Sequence, residues 1–273
     1  MKKFEGMLLA CDMDGTLLDS NHSISYENEQ AMQYFAREGG RFSLATGRAP
    51  GAIKTYLPQI PFNAPYSLLN GSMIFDAHHH VIHSAGMPKS SIDLIGSLLS
   101  KFSQIGCEIF VGEQILVCQM SDVTEHHLRV LDLNYSTVTQ EKLSNTESWC
   151  KINLTGEPEL IQSVQAFLKP YSKAFCITSS MPSFCEITAA GVSKGSALRQ
   201  IAKKCGIQQS NTFSIGDSYN DESMIMTAHV SFAPANADED ILQKADIVVG
   251  SNDESAVSQA IAYIESHYCS SNG

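Results

Sequence analysis

None of the apolar stretches in this 273-residue chain approaches the length of a membrane span, and the opening Met1-Lys2-Lys3-Phe4-Glu5 does not start a signal peptide. A cytoplasmic protein with no membrane partner is expected. Positive charge is scarce: 18 Lys and Arg stand against 29 Asp and Glu, and the formal charge of −11 disfavours nucleic acid as a partner. Cys-x-x-Cys pairs are missing among the eight cysteines (11, 107, 118, 150, 176, 185, 205 and 269). Most of these sit inside apolar runs, which predicts buried free thiols rather than disulfides or zinc. There is no Walker-type glycine loop, no internal repeat and no low-complexity linker. An anionic ligand of so acidic a chain has to be held by local positive charge: a metal, a lysine and backbone N–H groups.

The length points to two domains or to one with a large insertion, and 43% hydrophobic with 17% charged residues is the composition of a folded globular protein. The apolar run over 7–11 suits a parallel strand covered on both faces, and it leads straight into Asp12-Met13-Asp14-Gly15-Thr16. In extended geometry the side chains of Asp12 and Asp14 point the same way. Two carboxylates that close repel unless a cation or proton intervenes, and a hard divalent cation with oxygen ligands, Mg2+ foremost, meets that need. A solvated, Asp-rich turn has the same local sequence, so the remainder of the chain has to decide between them.

Ser25 reads as the N-cap of a helix with Glu27 and Glu29 in its first turn, Ala31, Tyr34 and Phe35 on its apolar face, and Gly39-Gly40 as its stop. A strand over 41–45 ends in Thr46-Gly47-Arg48, and Pro50 suits the first turn of a following helix. The run over 66–69 ends in Asn70-Gly71, and strands over 72–75 and 81–83 follow as a hairpin. His78, His79, His80 and His83 read as a hairpin tip, with a metal site as the alternative. From about residue 86 the pattern changes to helices over 91–105, 122–133 and 158–168, strand pairs over 107–111 with 115–118 and over 174–178 with 184–188, and a strand over 149–154. This α+β stretch carries no charged cluster at its strand ends and reads as an inserted domain. The βα alternation returns at Ser193, the N-cap of a helix ending at Gly206 with Lys194 in its first turn. A cation there opposes the helix dipole and needs a compensating anion, unless it simply faces solvent. A strand over 212–215 then runs into Gly216-Asp217-Ser218-Tyr219-Asn220-Asp221, and elements over 230–232, 239–244, 247–249 and 254–267 complete the chain.

Ligands of open parallel α/β sheets bind outside the carboxyl ends of the strands, where Asp12, Thr46, Asn70 and Asp217 all fall. Carboxylates with a metal, a hydroxyl, a lysine and helix-start N–H groups suit a phosphoryl group, with a carboxylate as nucleophile.

These residues resemble the haloacid dehalogenase-like phosphatases, and within them the Cof-type subfamily. Asp12-Met13-Asp14-Gly15-Thr16 is similar to the family's first motif, Thr46-Gly47-Arg48 to its second, Lys194 to its third, and Gly216-Asp217 with Asn220-Asp221 to its fourth, in the same order along the whole chain. The resemblance implies an α/β fold: a Rossmann-like parallel sheet core over 1–84 and 190–273, with an inserted α+β cap domain of the C2 type over 85–189. It also implies a Mg2+-dependent phosphoric monoester hydrolase that acts on a small phosphorylated metabolite through an aspartyl-phosphate, as a monomer or weak homo-oligomer.

By the same resemblance Asp12 is the nucleophile and, with Asp217 and the backbone carbonyl of Asp14, a Mg2+ ligand, while Asp14 is the general acid and base. The Met13 backbone, Thr46 and Gly47 hold phosphoryl oxygens, and Lys194 neutralises charge in the transition state. Asp221, behind the metal, orients Lys194 or the metal's water. Asn220 touches the phosphate, and Arg48, Asn70 and Gly71 lie near the substrate. Met13 stands where Leu is common, Ser72 where Ala is frequent, and Ala233-Pro234-Ala235-Asn236 where a Gly-Asn form is usual. None of these departures removes a catalytic group; they bear on the loops beside the phosphate and on substrate choice. Sugar phosphates lead as the implied substrate class, followed by phosphorylated cofactors such as pyridoxal phosphate or a flavin precursor. A phosphosugar mutase, a phosphoaspartate receiver and a phosphometabolite-binding protein are the alternatives. The inserted domain and Asp14 argue against a receiver, and the full motif set argues against binding alone.

Overall fold

A computed structural model describes residues 2–143 and 148–269. Strand β1 (Leu8–Cys11) is followed by helix α1 (Tyr26–Arg37), β2 (Arg41–Leu44), β3 (Tyr66–Leu68), β4 (Met73–Phe75) and β5 (Val81–Ser84). Next come α2 (Ser91–Lys101), β6 (Gly106–Val111), β7 (Gln114–Gln119), α3 (Asp122–Val130), β8 (Ser136–Thr137), α4 (Gln140–Leu143), β9 (Lys151–Thr155), α5 (Pro158–Leu168), β10 (Phe175–Thr178) and β11 (Phe184–Ala189). The chain closes with α6 (Lys194–Cys205), β12 (Thr212–Ile215), α7 (Glu222–Ile225), β13 (Val230–Pro234), α8 (Glu239–Lys244), β14 (Ile247–Val249) and α9 (Ala256–Tyr268).

Local chemistry sets the helix limits. The Ser25 hydroxyl accepts the Asn28 N–H to start α1, Pro158 opens α5, and Ser193 with Ser196 forms a reciprocal cap on α6, which ends at left-handed Gly206. Three expected helices differ. Pro50 opens a 3-10 run, Pro50–Tyr56, in place of an α-helix. Helix α2 stops at Lys101 because Phe102 leaves helical geometry, its ring edge-on to Phe167. Helix α3 stops at Val130, and Asp132 lies in the left-handed region at φ 48°. The short β8 and α4 were not anticipated.

The chain forms two compact units: Met1–Thr46, Thr55–Ile82 and Ser193–Gly273 make the first, and Gly47–Lys54 with His83–Val192 the second. In the first, five parallel strands run in the order β14-β13-β12-β1-β2. All four residues of β1 are buried, as a strand covered on both faces requires. Leu8 and Ala10 pack with Ala197, Leu198, Ile201 and Met224 of α6 and α7. Helices α1 and α9 pack together, and the Asn28 side-chain Oδ1 accepts the Ser258 N–H at 2.9 Å. A small sheet, β3-β4-β5, is joined to the main one by a parallel bridge between Ala45 and Ser67. Its hairpin tip is organised by Asp76, whose Oδ1 accepts the N–H groups of His78 and His80.

The second unit is built on a mixed sheet ordered β10-β11-β9-β6-β7-β8, antiparallel except between β7 and β8. Strand alternation divides its residues between two faces. Ile152 and Leu154 of β9, Cys107 and Ile109 of β6, and Cys185 and Ile187 of β11 form an apolar core with α2 and α5. The residues between them, Lys151, Asn153, Thr155, Glu108 and Glu186, are polar and also buried.

Candidate active site

Strands β1 and β12 are neighbours in register, Cys11 opposite Ile215, so Asp12 and Gly216-Asp217 leave the carboxyl edge of the sheet side by side. The Asp12 N–H extends this pairing to the Ile215 carbonyl at 2.9 Å. Gly15 follows at φ 74°, and a Cβ there would fall 2.5 Å from the Asp217 carboxylate, so only glycine lets the first turn lie against the second acidic cluster. The Thr16 hydroxyl donates to Asp217 Oδ1 at 2.7 Å. Asn236 Nδ2 donates to the Gly15 carbonyl at 2.8 Å, while its Oδ1 accepts the Asn252 N–H. The Ala233-Pro234-Ala235-Asn236 segment thus buttresses the Asp14-Gly15 turn.

Lys194 enters at the start of α6, fully buried, and donates to Asp12 Oδ1 at 2.5 Å and to Asp221 Oδ1 at 2.6 Å. These are the anions that a cation at a helix N-terminus requires. The other Asp221 oxygen accepts the N–H groups of Asp217 and Ser218, each at 3.1 Å. Gly71, at φ 92°, packs so tightly on this helix start that a Cβ would meet the Ser193 carbonyl at 2.4 Å. Next to it, left-handed Asn70 donates its N–H to the Thr46 carbonyl, and its Oδ1 lies 3.4 Å from Asn220 Nδ2. Thr46 is buried, and its N–H donates to the Ser67 carbonyl at 3.1 Å. Met13 is buried, with its carbonyl accepting the Leu17 and Leu18 N–H groups, and Asp14 is exposed. Gly47 and Arg48 group with the second unit, where Arg48 Nη1 donates to the Ala52 carbonyl at 3.0 Å.

Carboxylate oxygens of Asp12, Asp217 and Asp221 all lie within 4.8 Å of one another. Burial and the Asp221 charge raise Asp12 well above the usual carboxylate range, and the same two causes push Asp217 up to about 7. Burial alone would pull the Lys194 ammonium down, but Asp12 and Asp221 more than reverse this and keep it charged. Three crowded carboxylates thus share one lysine. An oxygen-only donor set short of positive charge fits a hard divalent cation such as Mg2+. With Asp221 engaged by Lys194 and two amides, Asp12 and Asp217 are the carboxylates that could hold one.

The sequence model of the haloacid dehalogenase-like hydrolases matches residues 9–261. The chain belongs to that family. It is 30% identical to the phosphatase YwpJ of Bacillus subtilis over 94% of this chain and 99% of that protein. It is 25% identical to the 5-amino-6-(5-phospho-D-ribitylamino)uracil phosphatase YcsE of the same organism, with 94% of each covered. Among solved structures, the HAD subclass IIB sugar phosphatase BT4131 matches with a TM-score of 0.84 at 26% identity, over 94% of this chain and 98% of that one. The chain is a haloacid dehalogenase-like enzyme of the Cof type, with a Rossmann-like α/β core.

Two residues to which the sequence reading gave no role help build this site. Thr16 closes the first motif, and its signal was the hydroxyl directly after Gly15. Asn236 lay in a segment noted only as a departure from the family form, and no local pattern announces that its amide reaches Gly15. Among the described residues no helix is long and apolar enough to cross a membrane.

Proposed function

We propose that this hydrolase is a Mg2+-dependent phosphatase of small phosphorylated metabolites, working through an aspartyl-phosphate on Asp12. The observation that carries this reading is Lys194 Nζ fixed between Asp12 Oδ1 and Asp221 Oδ1 beside Asp217. A carboxylate with one oxygen fixed by the lysine presents its second oxygen in a set direction for attack on phosphorus. Lys194 then neutralises charge that develops on the phosphoryl oxygens, and Asp221 keeps its ammonium in place. Asp14, exposed next to the nucleophile, protonates the leaving alcohol and afterwards takes a proton from the attacking water.

Thr46, Gly47 and the Met13 backbone grip phosphoryl oxygens, with Asn220 and Asn70 beside them and Arg48 and Gly71 near the substrate. In support of Gly47, its N–H has no partner among the described residues. Asp12, Asp217 and the Asp14 carbonyl, with Asp221 behind them, would hold Mg2+, whose positive charge would let a phosphate dianion approach these carboxylates. Residues 85–189 are read as the cap that chooses the leaving group. The names of YcsE and BT4131 point to phosphorylated polyols and sugars, so sugar phosphates are the first class to test and phosphorylated cofactors the next. Phosphate release from p-nitrophenyl phosphate is expected to require Mg2+ and to stop in EDTA. Undiminished turnover in EDTA would overturn the mechanism, and an isomerised sugar phosphate in place of free phosphate would make the enzyme a mutase.

A further inference from the structure

Lys151 lies on the polar face of β9, 1% exposed, with its ammonium 2.8 Å from Glu186 Oε1 and 3.0 Å from the backbone carbonyl of Gly47. Both contacts are internal to the second unit, because Gly47–Lys54 groups with it. Ser180 Oγ also donates to Glu186, which holds the carboxylate that aims the lysine. A buried ion pair of this kind adds little net stability over an apolar pair of similar volume, so its presence calls for a use other than holding the sheet together. What it provides is direction: an ammonium with two fixed acceptors, one of them a main-chain oxygen.

The main-chain oxygen belongs to a residue that cannot fix itself. Gly47 has no side chain to restrict its backbone. Before it, Thr46 is pinned by its N–H on Ser67 and its carbonyl on Asn70. After it, Arg48 folds back onto the Ala52 carbonyl. Between these two anchors, the bond from Lys151 is the one contact that Gly47 makes through its own polar atoms among the described residues. The Thr46 carbonyl bond to Asn70 sets the peptide plane that carries the unpartnered Gly47 N–H, and the Lys151 bond sets the plane that follows, so the two together leave Gly47 no free torsion and hold that N–H against a peptide flip.

We propose that Lys151 is a positioning residue for the phosphate grip: through the Gly47 carbonyl it orients the Thr46-Gly47 turn, with Glu186 as the anchor of the lysine. This rests on the reading of Thr46 and Gly47 as phosphoryl-binding groups given above. Lys151 touches neither phosphorus nor the leaving group in this role. Its loss therefore weakens binding of every phosphate ester by a similar factor, whatever alcohol the ester carries.

The test compares Glu186→Gln, which keeps an oxygen for the ammonium and leaves the Gly47 bond in place, with the Lys151→Met/Glu186→Gln double variant, which removes both charges together and leaves no buried carboxylate unpaired. Inorganic phosphate is the probe, and its inhibition constant does not depend on the fraction of folded enzyme, so a purely structural role would not move it. The double variant is expected to weaken phosphate inhibition and to lower kcat/KM for p-nitrophenyl phosphate and for a sugar phosphate alike, each by roughly tenfold or more, as loss of preorganisation predicts. Glu186→Gln alone is expected to stay within about threefold of wild type.

Amide hydrogen exchange over 47–49 is the second readout, faster in the double variant than in Glu186→Gln, and it needs no turnover. An inactive wild type would therefore defeat the phosphatase reading, whereas unchanged exchange together with an unchanged phosphate constant would defeat this one. If the double variant does not fold, Lys151→Gln/Glu186→Gln takes its place with the same expectations, because the two amides can still bond each other without charge while the shorter side chain at 151 leaves Gly47 unheld.

Discussion

Both units of this molecule bury charge, and they do so in opposite ways. In the second, Lys151 is bonded to Glu186 and the Gly47 carbonyl, and Glu108 to Asn153 at 3.0 Å and His127 at 2.8 Å. In the first, Asp12, Asp217 and Asp221 gather around the single ammonium of Lys194, and burial with mutual repulsion drives the first two upward in pKa. A matched set is complete in itself: it can hold a fold together or, as proposed for Lys151, aim a main-chain group, but it takes up nothing further. A set with excess charge of one sign is incomplete by construction, and its deficit is the one that the cation proposed above would fill. Buried charge alone therefore does not locate an active site, but its imbalance does.

The sharpest way to break this contrast is Asp12→Asn. It removes the proposed nucleophile at nearly constant shape, and kcat on p-nitrophenyl phosphate is expected to fall by roughly ten-thousandfold or more. Tm should stay within about 5 °C of wild type, since the first unit loses one of its crowded charges. Wild-type turnover in this variant would take the nucleophile role away from Asp12.

A smaller effect separates the units by pH. The Asp217 carboxyl, at about 7 in the folded protein against an ordinary 3.8, is protonated in the native state over a range where the unfolded chain has already ionised. The native state therefore binds more protons between those values, and the stability it contributes is lost as pH rises through them. Metal-free protein is expected to show a lower Tm at about pH 8 than at about pH 5, and Mg2+ to raise Tm more at the higher pH, where it does not have to displace protons. A Mg2+ shift that was larger in acid would mean that the acidic cluster is not where the ion sits.

The smallest effect on activity belongs to the matched unit. Glu108→Gln disturbs a fully buried carboxylate with two partners and should cost about 1–3 kcal/mol of stability by denaturant titration. Its kcat/KM on p-nitrophenyl phosphate should remain at the wild-type value, and a large kinetic loss without unfolding would show that Glu108 is more than a structural group.

The parts of this fold that were legible in sequence are those with a local physical signature. Ser25, Ser193, Pro158 and Gly206 announced helix limits by capping chemistry, and the acidic and hydroxyl clusters at strand ends announced the site. Lys194 was legible because a cation at a helix start is costly unless answered, and Asp12 with Asp221 answers it. Other features had no local signal. The 3-10 run after Pro50 and the two-residue β8 are too short to show a period. Asn236 bonds Gly15 from 221 positions away, and Lys151 bonds Gly47 from 104, through side chains whose identity alone says nothing of their partner. The grouping of Gly47–Lys54 with the second unit follows from such contacts and could not be read from a composition shift.

The strand order β12-β1-β2 sets when this enzyme becomes one. As the polypeptide is synthesised, β1 meets β2 early, but its other edge stays open until Thr212–Ile215 arrives, and Thr16 lies 201 residues from the Asp217 it bonds. Residues 83–192 are complete before then and can fold on the ribosome while Asp12 has neither Lys194 nor Asp217 beside it. A nascent or truncated chain is thus inert toward the phosphate esters around it, and it carries an apolar strand edge that invites chaperone contact. Activity arrives in the same step that closes the sheet.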